Sequence, residues 1–220
     1  MNRRLLVLSV SVVSIVVFTI FAFLLRPATE PVPQAGQEAG AGAPTAATLV
    51  RFHSPVIGRF DAPVTVVEFF DPSCEGCRAF YPYVKQILSK YPSDVRVVMR
   101  YVLFHKGSEE TVRMLEAARR QGLFEPVLEA ILEAQPDWHD DPTVTAAWRA
   151  AVGAGLDETR ARAEMHDAAI SALIKADEAD VNAVGIKGTP TFFVNGARLV
   201  KLSPQDLSSA IEYAMQTRKE

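Results

Sequence analysis

The 220-residue sequence has only two cysteines, Cys74 and Cys77, and no third with which either could pair. Its four histidines, His53, His105, His139 and His166, are scattered with none at ligand spacing from another, which argues against a structural zinc site and leaves the metal assignment at none. Two thiolates alone could still hold a soft ion such as Cu(I). A net charge of −3 and the absence of a basic stripe remove the electrostatic footprint of a nucleic-acid binder. There is no internal repeat. The hydrophobic fraction, 49%, is enough at this length for one sizeable core with an inserted subdomain.

Charge is also missing from residues 5–25, LLVLSVSVVSIVVFTIFAFLL. At helical rise that stretch reaches about 32 Å, enough to cross a bilayer core. A cleaved secretory signal has a shorter apolar region and a small-residue cleavage site, so residues 1–26 are expected to be a retained single-pass transmembrane anchor. Arg3 and Arg4 precede the span and Arg26 alone follows it at once, which keeps the N-terminus cytoplasmic and sends the remainder outside. The expected location is the bacterial inner membrane, with the C-terminal part in the periplasm or, without an outer membrane, on the cell surface. Thiols there can be oxidised and disulfides persist. Residues 27–48 shift to Pro, Ala, Gly, Thr and Gln, a composition that cannot offset the entropy of folding and reads as a flexible tether. A domain over residues 49–220 follows.

Within that domain, VTVVEFF at 64–70 is a β-branched and aromatic run between turn-like flanks, hence a buried strand. A helix from Cys74 to about Lys90 and a second strand over 95–104 complete a strand–helix–strand unit suited to parallel pairing. Residues 107–184 are helical in pattern, with Asp141 ahead of Pro142 and Asp157 as candidate caps, and with Trp138 and Trp148 as core. In GIKGTPTFFVNGARLVKL (185–202) the Asn195-Gly196 pair signals a hairpin between strands at 191–194 and 198–202. Ser203 and Pro204 then open a last helix.

The chemistry concentrates in DPSCEGCRAF, residues 71–80. With Ser73 as cap and Cys74 as first helical residue, Cys77 falls one turn later on the same face, so the sulfurs can meet. The unpaired N–H groups and the dipole of a helix start favour a thiolate at Cys74. Cys74 is therefore the expected nucleophile and Cys77 the resolving thiol. A purely structural disulfide is a poor alternative, because closing so small a loop removes little chain entropy. Val66, Glu68 and Phe70 share one face of their strand, so the Glu68 carboxylate is expected among apolar groups. Burial without a partner would raise its pKa and suit it to accept the Cys77 proton. The competing reading pairs Glu68 with a basic neighbour such as Arg100.

The order VEFFDPSCEGC, helical insertion, GIKGTPTFFVNG resembles the thioredoxin superfamily and, within it, the DsbA-like thiol–disulfide oxidoreductases. The likeness covers roughly residues 55–215. It implies an α/β thioredoxin-like fold, a mixed β-sheet flanked by helices, in which some 60 to 70 extra residues in one crossover, about the excess over a short βα connection, form an inserted helical subdomain. It implies that Thr189-Pro190 is a cis peptide beside the sulfurs, leaving the Thr189 main chain free to pair with an extended client segment. It also implies that Glu68, six residues before Cys74, relays protons for the inner cysteine.

Two departures bear on the direction of electron flow. The strongly oxidising members carry a histidine between their cysteines, whereas this chain has Glu75-Gly76. A carboxylate beside Cys74 should disfavour the thiolate and make the disulfide less oxidising. Thr189 before the proline is also more reminiscent of the isomerase and reductase branches. Isomerases of the family dimerise through an extra N-terminal domain, in contrast to the tether here, so the expectation is a monomer that oxidises clients. Its redox centre would be the Cys74–Cys77 disulfide without further cofactor. Its partners would be client proteins with thiols or disulfides and a membrane redox protein that resets the pair. Reduction or isomerisation on the same fold, and non-catalytic Cu(I) binding, are the alternatives.

Overall fold

The computed structural model describes residues 46–217; the expected anchor, and the expected tether up to residue 45, lie outside them. Among the described residues no helix is long and apolar enough to cross a membrane. The elements run α1 (Ala46–Leu49), β1 (Val56–Gly58), β2 (Val64–Phe70), α2 (Glu75–Lys90), β3 (Val95–Tyr101), α3 (Ser108–Arg120), α4 (Phe124–Glu133) and a 3-10 turn (Gln135–Asp137). They continue with α5 (Thr145–Gly153), α6 (Glu158–Glu164), α7 (Ala168–Val184), β4 (Thr191–Val194), β5 (Ala197–Arg198) and α8 (Pro204–Gln216).

The five strands form one mixed sheet in the order β1-β3-β2-β4-β5. Parallel β2 and β3 are joined by the α2 crossover, while β1, β4 and β5 add antiparallel. Alternation along β2 divides its side chains between two cores. Val64, Val66 and Phe70 join the larger one, with Tyr81, Val84 and Ile87 of α2, Leu207 and Ile211 of α8, and the apolar faces of α3 to α6. Val67 and Phe69 pack on the opposite face with Val98, Val181 and Phe193. The 107–184 segment forms the expected helices, and both tryptophans are core: Trp138 Nε1 donates to the Ile131 carbonyl at 2.8 Å and Trp148 Nε1 to Glu110 at 3.1 Å.

Several boundaries shift for identifiable reasons. Strand β3 stops at Tyr101 rather than residue 104, because the Phe104 N–H turns away to the Asp71 carboxylate. The hairpin turn has positive φ at both Asn195 (46°) and Gly196 (89°), as a tight primed turn requires, but its second strand covers only Ala197–Arg198. Asp141 does not cap a helix begun by Pro142. Its carboxylate accepts from Thr143 N–H and Thr145 N–H in a turn, and α5 starts at Thr145 after Val144 in a left-handed conformation. Asp157 and Ser203 cap α6 and α8 as expected, accepting from the N–H groups of Arg160 and Asp206.

The Arg100 reading for Glu68 fails on register. Glu68 lies opposite Met99, so Arg100 projects to the other face of the sheet. There the buried guanidinium donates to Asp177 Oδ1 (3.0 and 2.7 Å) and Asp180 Oδ2 (2.6 Å) of α7, and to the carbonyls of Thr48 (2.7 Å) and Leu49 (2.9 Å). Arg51 and His53 bind the same two aspartates. The chain is thus tied down from Thr48 onward, within the last residue of the expected tether. Removing one partner of a buried ion cluster strands the other charge, so Asp177→Ala should cost about 3 kcal/mol, with Asp180 still in place. Breaking the exposed Lys85–Glu129 pair with Lys85→Ala should cost under about 1 kcal/mol. Urea unfolding of the two variants checks the contrast.

Candidate active site

Helix α2 begins one residue later than the sequence suggests. Cys74 occupies the N-cap position in extended conformation (φ −78°, ψ 122°), and the Ser73 hydroxyl donates instead to the Lys106 carbonyl at 3.3 Å. The sulfur therefore stands where a capping oxygen usually stands, facing the unpaired N–H groups of the first turn. As a thiol Cys74 donates to the Thr189 carbonyl at 3.2 Å. As a thiolate it accepts from the Cys77 thiol foremost, then from the Thr189 side chain and the N–H groups of Cys77 and Gly76. These bonds outweigh burial and bring Cys74 down to about 5.

Cys77 goes the other way. Burial first, then its hydrogen bond to Cys74 and the nearby charges of Glu68 and Cys74, push it well above an ordinary thiol. Its one favourable backbone contact is the Asp71 N–H, which donates to Sγ at 3.4 Å. Exposure separates the two sulfurs in the same sense: Cys74 retains 9% and Cys77 none. Both are free thiols in this structure.

Glu68 is 1% exposed on the large-core face of β2, and its Oε2 has no hydrogen-bond partner among the described residues. Desolvation, and secondarily the Cys74 charge, lift it to about 8. It is a neutral acid at pH 7, poised near the pH at which it could exchange a proton. Thr189-Pro190 is a cis peptide that sits over the helix start. A Cβ on Gly76 would lie 3.3 Å from both the Thr189 carbonyl and Pro190 Cδ, and 3.5 Å from Cys74 Sγ, so the glycine lets this loop approach the dithiol closely. All five expected site residues, Cys74, Cys77, Glu68, Thr189 and Pro190, thus lie around the start of α2.

The structure adds others. Gln135, from the helical insertion, donates from Nε2 to the carbonyls of Pro72 (2.7 Å) and Cys74 (3.0 Å) and accepts from Arg78 Nε at 3.0 Å, buttressing the loop. Asp71 and His105 join the site from the ends of β2 and β3, Nδ1 of the imidazole being 2.8 Å from the carboxylate. A buried aspartate directly after a strand is a sequence signal that could have drawn notice; the partner of Gln135 could not be read from a separation of some sixty positions. Glu75 is largely exposed and approaches His139 Nε2 at 3.9 Å.

This fold, with one cysteine at a helix start, a second buried one turn along and a cis proline beside them, is a thioredoxin-like fold with a dithiol site. The chain belongs to the thioredoxin family, whose model matches residues 52–213. It is similar to a thioredoxin-like oxidoreductase from Silicibacter pomeroyi (29% identity, TM-score 0.70, covering 79% of this chain and 99% of that one). It is also similar to BdbD from Bacillus subtilis in its oxidised form (25% identity, TM-score 0.68, covering 80% and 97%). Among curated proteins, a Na(+)/H(+) antiporter NhaA from Herminiimonas arsenicoxydans is 31% identical over 142 residues, which is 64% of this chain but only 22% of the antiporter.

In reduced protein, iodoacetamide should modify Cys74 with a pH midpoint near 5 and leave Cys77 unmodified until the fold opens, as peptide mass mapping would report. Glu68, raised in the folded state, contributes stability that is complete below its unfolded value of 4.5 and lost as pH rises through about 8. The stability of the wild type relative to Glu68→Gln should therefore fall between those two pH values; urea midpoints at pH 5 and pH 8 measure it.

Proposed function

We propose that the chain exchanges disulfides with client proteins outside the cytoplasm, in the oxidising direction. The observation that carries this reading is the opposite displacement of the two thiols, Cys74 down to about 5 and Cys77 well up. A sulfur that is stable as an anion is a good leaving group, and stabilising the reduced form makes its disulfide a better oxidant.

A client thiolate attacks Cys74 Sγ of the Cys74–Cys77 disulfide, the S–S bond breaks, and Cys77 departs with the electron pair. Its high pKa calls for a proton, which neutral Glu68 supplies. A second client thiolate then attacks the client sulfur of the mixed disulfide and releases Cys74 as thiolate. The client has lost two electrons and two protons; the pair has gained both electrons. In the return direction Glu68 takes the Cys77 proton back, and a membrane redox partner removes the electrons. The Thr189 main chain, next to Cys74, offers an extended client segment a strand-like partner. The extracytoplasmic setting rests on the uncharged run at 5–25 and the arginines before it. The redox pair is proposed to act without added cofactor and the chain to act as a monomer.

Cys77→Ser should accumulate mixed disulfides through Cys74 in cells, seen as adducts that a reductant dissolves on gels. Acid quenching followed by alkylation should find the wild-type pair oxidised at rest. A pair reduced at rest would reverse the assigned direction, and a Cys77→Ser variant that traps no client would remove the exchange reading itself.

A further inference from the structure

Asp71 is fully buried, and each of its carboxylate oxygens serves two donors. Oδ1 accepts from the Ser73 N–H (2.9 Å) and the Ser108 hydroxyl (2.6 Å). Oδ2 accepts from the Phe104 N–H (2.9 Å) and His105 Nδ1 (2.8 Å). Its backbone binds both halves of the dithiol loop: the N–H donates to Cys77 Sγ, and the carbonyl accepts the Cys74 N–H at 3.0 Å. The Ser73 hydroxyl, bonded to the Lys106 carbonyl, fastens the segment carrying His105 to the residue just before Cys74. One carboxylate therefore fixes an imidazole against the active-site turn.

With Nδ1 donating to Asp71, the half-exposed ring (45%) can carry its second proton on the other nitrogen. Burial opposes that charge, but the bond to Asp71, the Asp71 charge and the Cys74 charge overcome it, with Asp140 adding to them, and the ring titrates above an ordinary histidine. Across the adjoining groove stand Glu109, Glu110, Arg113, His166 and Glu178. Arg113 is engaged by Glu109, the Met165 carbonyl and Ser171, so the surplus there is acidic and favours a cation at 105, with His166 opposing it only when itself protonated.

We propose that His105, oriented by Asp71, is the positioning residue whose positive charge balances the Cys74 thiolate, the part that Glu75-Gly76 between the cysteines cannot play. It also offsets the buried Asp71 charge, which would otherwise oppose a negative sulfur at either cysteine. Because the interaction is mutual, protonated His105 favours ionised Cys74 by the same factor as ionised Cys74 favours protonated His105. The proposal rests on the exchange reading only in taking Cys74 as the attacking sulfur.

The test follows Cys74 alkylation by iodoacetamide against pH in the reduced full chain and in His105→Gln and His105→Lys. His105→Gln should shift the profile upward and slow alkylation on its acidic limb by about threefold, the factor expected of one unit charge nearby in a water-like dielectric. His105→Lys, which keeps a cation beside Asp71, should stay within about twofold of wild type on the same scale. A purely structural part would displace both variants alike. Independently, the His105 ring proton followed by NMR should titrate at lower pH in Cys74→Ser than in wild type; this needs no substitution at 105. Superimposable alkylation profiles in wild type and His105→Gln, equal displacement in Gln and Lys variants, or an unchanged His105 titration in Cys74→Ser would each overturn the proposal. None of these readouts involves a client, so absence of trapped mixed disulfides with Cys77→Ser would strike the exchange reading and leave the His105 result standing.

Discussion

The site depends on one placement, a sulfur at the N-cap of α2 with a second thiol one turn along to donate to it. A serine or aspartate at an N-cap satisfies two otherwise orphaned donors with a group whose charge state is fixed at neutral pH. Cys74 at the same position changes charge, and the bond from the Cys77 thiol, ahead of those from the Thr189 side chain and the first-turn N–H groups, favours its thiolate. The rest of the site keeps that arrangement available. Gly76 leaves room for the Thr189-Pro190 loop, Gln135 holds the carbonyls on either side of Ser73, and Asp71 anchors the turn that leads in.

Burial then divides two chemically identical side chains. One turn along the helix, Cys77 faces the large core and Glu68, and the desolvation that hydrogen bonds outweigh at Cys74 dominates there. Glu68 shares that environment and for the same reason holds its proton at neutral pH. Low dielectric thus acts on three groups with a single sign, against charge, and only Cys74, which accepts from the Cys77 thiol foremost, escapes it. The asymmetry needs no cation between the cysteines.

The sequence makes much of this legible where the signal is local. Alternation in VTVVEFF puts Glu68 on the core face, Asn195-Gly196 fixes the hairpin, and the cysteine spacing with the distant Thr189-Pro190 defines the redox centre. The errors come from competition between local and distant partners. Ser73 looks like a cap, but its hydroxyl is drawn to Lys106 and the cap passes to Cys74 itself. Arg100 looks like a partner for Glu68 until register places it on the other face with two aspartates nearly eighty positions away. In each case the controlling contact lies in another element, where pattern along one chain carries no information.

The ion cluster beneath β3 bears on where the folding unit starts. Four of its groups, the carbonyls of Thr48 and Leu49 and the side chains of Arg51 and His53, precede the first strand, and they neutralise or complete a guanidinium and two aspartates that lie inside. A chain trimmed after His53 would keep every strand and every cysteine, yet face solvent with two interior carboxylates served by a single cation. The minimal autonomous fragment is therefore set by charge balance, and its starting point lies several residues upstream of any strand in the sheet.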